Sequence, residues 1–242
     1  MSVANLNITQ LTFNTINSNN RSTSNPLYFI PNPIDNIKQY AFSSFSGVNT
    51  VNVIDSRNNI INFSETTSSS TIRNVVIPVG NYTLSTLGTA LKTGLDAAGT
   101  GTFTISTNSL TNIITIASTV NFKLLDCSNN IYYEIGFVAS TAFAASQVAS
   151  SIYDLSGLKN ITLVSSSFGQ RNSILVGSNY TVIGTIPVST PFLGVISFIA
   201  SPIFVDCQVN ELNSASFMLL DERMRVLTVN NDWSLSLYIA NA

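Results

Sequence analysis

Apolar and polar residues alternate along most of this chain with a period of two. Ala41, Ser43, Phe45 and Gly47 interleave with Phe42, Ser44 and Ser46, and the turn signal Asp55-Ser56-Arg57-Asn58-Asn59 separates Val51 and Val53 from Ile60, Ile61 and Phe63. A β-branched run covers 72–79. Successive side chains of a strand point to opposite faces, so each segment predicts a half-buried strand between polar turns. One segment departs from this period. After Pro78-Val79-Gly80-Asn81, Leu84, Leu87, Leu91 and Leu95 recur at spacings of three and four, the apolar stripe of a helix opened by Thr83 or Ser85 and ended by Gly94 and the 97–101 stretch. A hairpin of 102–107 and 110–117, joined at Asn108-Ser109, is expected next, with 122–125 and 132–137 completing a helix-plus-strands element.

Beyond the small residues of 139–151, strands are predicted at 160–166, 174–176, 179–186, 193–200, 203–209, 215–220, 224–229 and 234–239. Breaks fall at Gly169, Gly177, Pro191, Pro202 and Asn230-Asn231-Asp232. Their spacing of about ten residues is that of sandwiches and jelly rolls, and the class is all-β with one helical insertion. The first 25 residues are polar with sparse hydrophobics and predict an extended arm or a loosely held edge strand; Pro26, Pro31 and Pro33 then impose an extended lead-in.

Composition changes the picture most at the level of chemistry. The 242 residues contain no histidine and only 9% are charged. The Ser-His-Asp, Cys-His and His-metal constellations therefore drop out together, which argues against an enzyme. Asn, Ser and Thr fill the polar positions instead, as in Asn17 to Asn25. Such neutral surfaces suit proteins that sit among copies of themselves, because an unpaired charge is costly at an interface. A net charge of −2, with no run of Lys or Arg, predicts no direct nucleic-acid binding. No signal peptide is evident in residues 1–12, and the apolar run 192–209 is interrupted by Ser197, Ser201, Pro202 and Asp206, so no membrane span is expected. Cys127 and Cys207 could form one disulfide; they match no zinc spacing, and the favoured reading is two small buried apolar residues. The glycosylation sequons at Asn7, Asn20, Asn62, Asn81, Asn160 and Asn179 arise by chance in so Asn- and Ser-rich a chain.

The remaining catalytic options are weak. Adjacent Asp221 and Glu222 would point to opposite faces of a strand, whereas a glycosidase pair sits about 5 to 10 Å apart across a cleft. Asp221-Glu222-Arg223 reads as a hairpin turn. Gly99 and Gly101 begin no dinucleotide fingerprint, and no phosphate loop exists. Asp206, Glu211, Asp221 and Asp232 lack calcium-loop spacing. Tyr132, Tyr133, Phe137 and Phe143, or Trp233 with Tyr238, are either core or a sugar-stacking platform, and core is favoured; Trp233 is also a candidate for an interface where its indole N–H finds a partner. No catalytic, cofactor-binding or metal-binding residue is assigned, and no cofactor is expected.

Several of these segments resemble one family. Ile77-Pro78-Val79-Gly80-Asn81-Tyr82-Thr83-Leu84, the Leu-spaced helix, the Phe103-Thr104-Ile105 and Ile113-Ile114-Thr115-Ile116 hairpin and Ile135-Gly136-Phe137 are similar to a module in capsid proteins of virophages, Polinton-like elements and large double-stranded DNA viruses. Phe217 to Glu222 and Asn230 to Leu237 resemble the closing hairpin of those proteins. The chain is too short for the two jelly rolls of the major capsid protein. The resemblance therefore implies a single jelly roll over 26–242, carrying the helix-plus-strands insertion at about 80–138, behind an arm over 1–25. It further implies a structural protein of the virion, a penton or minor capsid protein forming homopentamers at five-fold vertices and contacting the major capsid protein. No separate insertion domain that would act as a receptor-binding tower is evident. The competing readings are a carbohydrate- or receptor-binding attachment module with a fibre-head-like sandwich, marked by clustered surface aromatics, and a carboxylate-only hydrolase, marked by two acids facing across a deep pocket. With no histidine, a pH-triggered disassembly between about pH 5 and 7 would need shifted carboxylates or a partner protein.

Overall fold

The computed structural model describes residues 7–18, 22–66, 70–138, 141–168 and 180–241. The predicted strand at 174–176 and the breaks at Gly169 and Gly177 lie outside them. In chain order the strands are β1 (Asn7–Asn14), β2 (Leu27–Val48), β3 (Ile60–Glu65), β4 (Arg73–Val76), β5 (Phe103–Asn108), β6 (Ile113–Leu125), β7 (Ala144–Val148), β8 (Asn160–Ser165), β9 (Thr181–Pro187), β10 (Val195–Ile199), β11 (Val205–Leu220) and β12 (Trp233–Asn241). Two α-helices, α1 (Leu84–Ala98) and α2 (Tyr132–Ile135), lie between β4 and β7. The chain forms two compact units, one from the described residues up to Val51 and from Leu158 onward, the other from Asn52–Gly157.

The first unit is a jelly-roll-like sandwich. Its strands are antiparallel in the order β1-β12-β2-β11-β8-β9, with β10 beside the C-terminal part of β2. β11 makes the turn from one sheet to the other. Its first part, Val205 to Ser216, pairs with β2, and its last residues, Phe217 to Leu220, pair with β8. The sheet thereby curls over a shared core, and β9 comes to face β2 so closely that a Cβ on Gly184 would lie 2.7 Å from the Phe42 ring. Phe13, Tyr28, Phe168 and Phe217 form the aromatic centre, with Phe13 and Phe217 ring centroids 4.9 Å apart. β2 is a single 22-residue strand in spite of Pro31 and Pro33. The two prolines are exposed and fall where the register with β11 shifts, and β12 pairs with β2 only from Ile37 onward, so neither has to supply a ladder donor.

The second unit has its own core. β4-β3-β6-β5 form an antiparallel sheet, with β7 beside β6, and α1 lays Leu87, Leu91 and Leu95 on one face. Thr83 caps α1 in a reciprocal box with Thr86. Gly94 does not end the helix: it lies inside α1, where a Cβ would come within 2.5 Å of Val75 Cγ1. It is present so that helix and β4 can touch. Gly94→Ala is expected to destabilise this unit by about 1–3 kcal/mol, although alanine is the better helix former, and a thermal melt reads the loss.

Three expectations need correction here. The insertion is larger than 80–138, and it is the separate compact unit that the sequence did not show, because 52–79 and 141–157 also pack on its core. The stretch 132–137 is not a strand: α2 ends at Gly136 (φ +77°), where a Cβ would collide with Ser151 O at 2.1 Å. Of the arm or edge strand expected over 1–25, the described residues form the edge strand and not a free arm: β1 pairs with β12 along its whole length and buries Phe13. Smaller differences are that the hairpin turn spans 109–112, held by Asn108 Oδ1, and that 224–229 is a loop with one bridge, Leu220 to Val226.

Candidate assembly surfaces

Three of the carboxylates that could carry chemistry, Asp206, Asp221 and Asp232, are held in structural contacts. Asp221 is 2% exposed and its carboxylate accepts from the main-chain N–H groups of Arg223 and Arg225 and from Arg225 Nε at 2.9 Å. It closes the turn after β11, as its position in the sequence predicts. Asp206 accepts from Gln39 Nε2, and Asp232 from Thr15 Oγ1. Glu211 stands opposite Asp35 on exposed neighbouring strands rather than across a cleft. Among the described residues no three Cys, Asp or Glu side chains gather as metal ligands. Cys127 and Cys207 are free thiols, and burial, with Asp206 adding to it, pushes Cys207 up to about 11.

The aromatics flagged as a sugar platform are mostly core. Tyr132 and Phe137 are buried, Tyr132 donating to Asn62 O and Leu125 O. Phe143 lies under Lys123 Nζ, 4.8 Å from the ring centre. Tyr133 is the exposed member. Trp233 is 2% exposed, and its N–H finds its partner inside the chain, Thr23 O at 2.6 Å, so it is not an interface residue.

Sequence reasoning did not single out two buried carboxylates of the second unit. Glu134 accepts from Asn58 Nδ2 at 2.8 Å. Glu65, at the end of β3, receives Thr100 N, Thr100 Oγ1 and Gly101 N at 2.8–3.0 Å and pairs with Arg73 Nε at 3.1 Å. Burial alone would push this carboxyl up. The N–H groups of Gly101 and Thr100, the Thr100 hydroxyl and the Arg73 charge outweigh it and hold Glu65 below the usual range.

What remains is surface. Across β1-β12-β2-β10 the ladder aligns residues into rows. Phe13, Leu235, Phe45 and Phe198 form one row and point into the core. The neighbouring rows, Asn14-Ser234-Ser46-Ser197 and Thr12-Ser236-Ser44-Ile199, point the other way and carry hydroxyls, the Asn14 amide and Ile199, without a charge. This face ends at β10, where Val195 and Ile199 are 62% and 82% exposed, followed by Ile203 at 77%. No charged residue lies between Arg171 and Asp206, and none precedes Arg21. The signal for this face was present in Ser44-x-Ser46, Ser234-x-Ser236 and the charge-free stretch, but only the register joins them.

No protein-family model matches the chain, and no curated protein matches it in sequence. A solved structure does match: the crystal structure of the selenomethionine-labelled mavirus penton protein, at a TM-score of 0.50 and 13% identity, over 98% of this chain and 100% of that one. The chain thus has the jelly-roll-like fold of a virophage penton protein.

Proposed function

We propose that this chain is a structural capsid protein, the penton that forms homopentamers at the five-fold vertices of an icosahedral particle and contacts the major capsid protein around them. The observation that carries the reading is the near end-to-end match to a penton protein. The uncharged rows Asn14-Ser234-Ser46-Ser197 and Thr12-Ser236-Ser44-Ile199 support it, because such rows can be covered by neighbours without stranding a charge. A closed ring of identical subunits needs two different complementary faces on each copy. In this reading the protein works by shape and contact, and none of its carboxylates or thiols acts chemically. Native mass spectrometry of the purified chain is expected to show a five-subunit species, and cryo-electron microscopy of particles is expected to place it at the vertices. A monomer at all concentrations, with no vertex density of this shape, would overturn the proposal.

The attachment reading keeps one observation in its favour, the compact Asn52–Gly157 unit with its own core. Its marker, a cluster of exposed aromatics, is not found among the described residues of that unit, where Tyr133 stands as the one exposed ring.

A further inference from the structure

Among the described residues the β1-β12-β2-β10 sheet has two open edges, and both are uncharged. At β10, Ala200 N donates to Ser43 O and Asn49 N donates to Gly194 O, which fixes the alternation of the ladder. The main-chain groups of Ile196 and Phe198 turn toward β2, and those of Val195, Ser197 and Ile199 turn outward. Among the described residues no main-chain hydrogen bond reaches that outward side. The opposite edge is β1, which among the described residues pairs with β12 alone and exposes Ile8, Thr9 and Gln10. Open edges are normally blunted with lysine, proline or an inward charge. Neither strand contains any of these.

We propose that copies of this chain join edge to edge, β10 of one beside β1 of the next, so that the sheet runs on from subunit to subunit. The proposal rests on the pentamer reading and names the surfaces that would build the ring. Three features select a second copy as the occupant. Direction agrees: β1 and β10 run oppositely, so a head-to-tail repeat keeps every neighbouring pair antiparallel. Facing agrees too. A strand added beside β10 has to place apolar side chains on the side of Phe198 and uncharged ones on the side of Val195, Ser197 and Ile199, and β1 does so with Leu11 and Phe13 on one side and Ile8, Thr12 and Asn14 on the other. Polarity agrees as well: exposed Ile8 and exposed Ile199 occupy the outer face of their respective edges, and no charge stands on either strand. Two different edges meeting make the heterologous contact from which rings close. Main-chain pairing supplies the affinity in such strand addition, and the alternating side chains supply the register.

The test blocks one edge at a time in the full chain. Ser197→Pro removes an outward N–H and leaves the β2 ladder untouched; Thr9→Lys puts a charge on the other edge. Leu110→Lys, in the second unit at a residue 92% exposed, is the control. Circular dichroism and Trp233 emission verify that each variant folds. Wild type and the control are expected to assemble, and each edge variant to be a monomer in sedimentation velocity. An equimolar mixture of the two edge variants is expected to stop at a dimer, since one intact β10 then meets one intact β1. If both edge variants assemble like wild type, the edge pairing is wrong and the pentamer reading stands. If wild type itself stays monomeric at every concentration, both fall.

Discussion

Glu65→Ala is expected to unfold the Asn52–Gly157 unit while leaving Trp233 emission that of a buried indole. The Glu65 side chain is fully buried and joins three structural elements: its own strand β3, the 99–101 segment that leads α1 into β5, and Arg73 at the start of β4. Arg73 in turn donates through Nη1 to Ala98 O at 2.6 Å, placing its charge at the carbonyl end of α1. Removing the carboxylate strands two main-chain N–H groups and a half-buried guanidinium, and breaking a buried ion pair from one side costs about 3–5 kcal/mol. Glu65→Gln is expected to be nearly as damaging, because its amide would aim a donor at the donors of Thr100, Gly101 and Arg73. The same site fixes a pH dependence. Because Glu65 is held below its ordinary range, its contribution is complete above the unfolded carboxyl value of about 4.3 and is lost as pH falls through its lower folded value. Asp96 is lowered as well, by Lys92 and the Phe103 N–H, whereas Tyr28, Tyr40, Tyr132, Cys127 and Cys207 are raised by burial. Every resolved shift leads away from the interval between about pH 5 and 7. Far-UV circular dichroism is expected to be flat across that interval and to fall only below about pH 4.

The parts of this fold that were legible in sequence are those in which neighbours in the chain are neighbours in space. Leu87, Leu91 and Leu95 lie on one helical face because their spacing leaves no other arrangement, and Asp221 closes a turn with groups two and four residues away. Illegible features depend on long-range partners. Pro31 and Pro33 sit inside a 22-residue strand because a register shift against β11, far along the chain, releases them from the ladder. Tyr132 to Ile135 turn helical where a Cβ-free Gly136 meets Ser151 O. The same limit applies to the assembly surface. Ser44 and Ser46 show only an alternating strand, and their meaning as rows with Ser234, Ser236 and Ser197 follows from the pairing of β10 and β12 on either side of β2.

Trp233→Ala is expected to release the N-terminal strand from the sandwich. The indole is stacked on Phe45 with centroids 5.7 Å apart and is packed so tightly over β2 that a Cβ on Gly47 would meet Trp233 Cβ at 3.0 Å. Its Nε1 donates to Thr23 O, its main-chain N–H donates to Thr15 Oγ1, and the Thr15 hydroxyl in turn reaches Asp232 Oδ1 at 2.7 Å. One residue thus anchors both ends of the link between β1 and β2. Truncating a buried tryptophan costs about 3–5 kcal/mol through the cavity it leaves. Trp233→Phe separates the two contributions: it retains most of the packing but leaves the carbonyl of Thr23 without its donor, at about 1–3 kcal/mol. Because Trp233 is the sole tryptophan of the chain, denaturant titrations of these variants are followed by circular dichroism rather than emission. Limited proteolysis within the link is expected to rise in the order wild type, Phe, Ala. Since β1 supplies one of the two edges proposed to join neighbouring copies, Trp233→Ala is also expected to weaken assembly, although Trp233 lies inside the subunit. Equal proteolysis in all three proteins would show that β1 is held by its pairing with β12 alone.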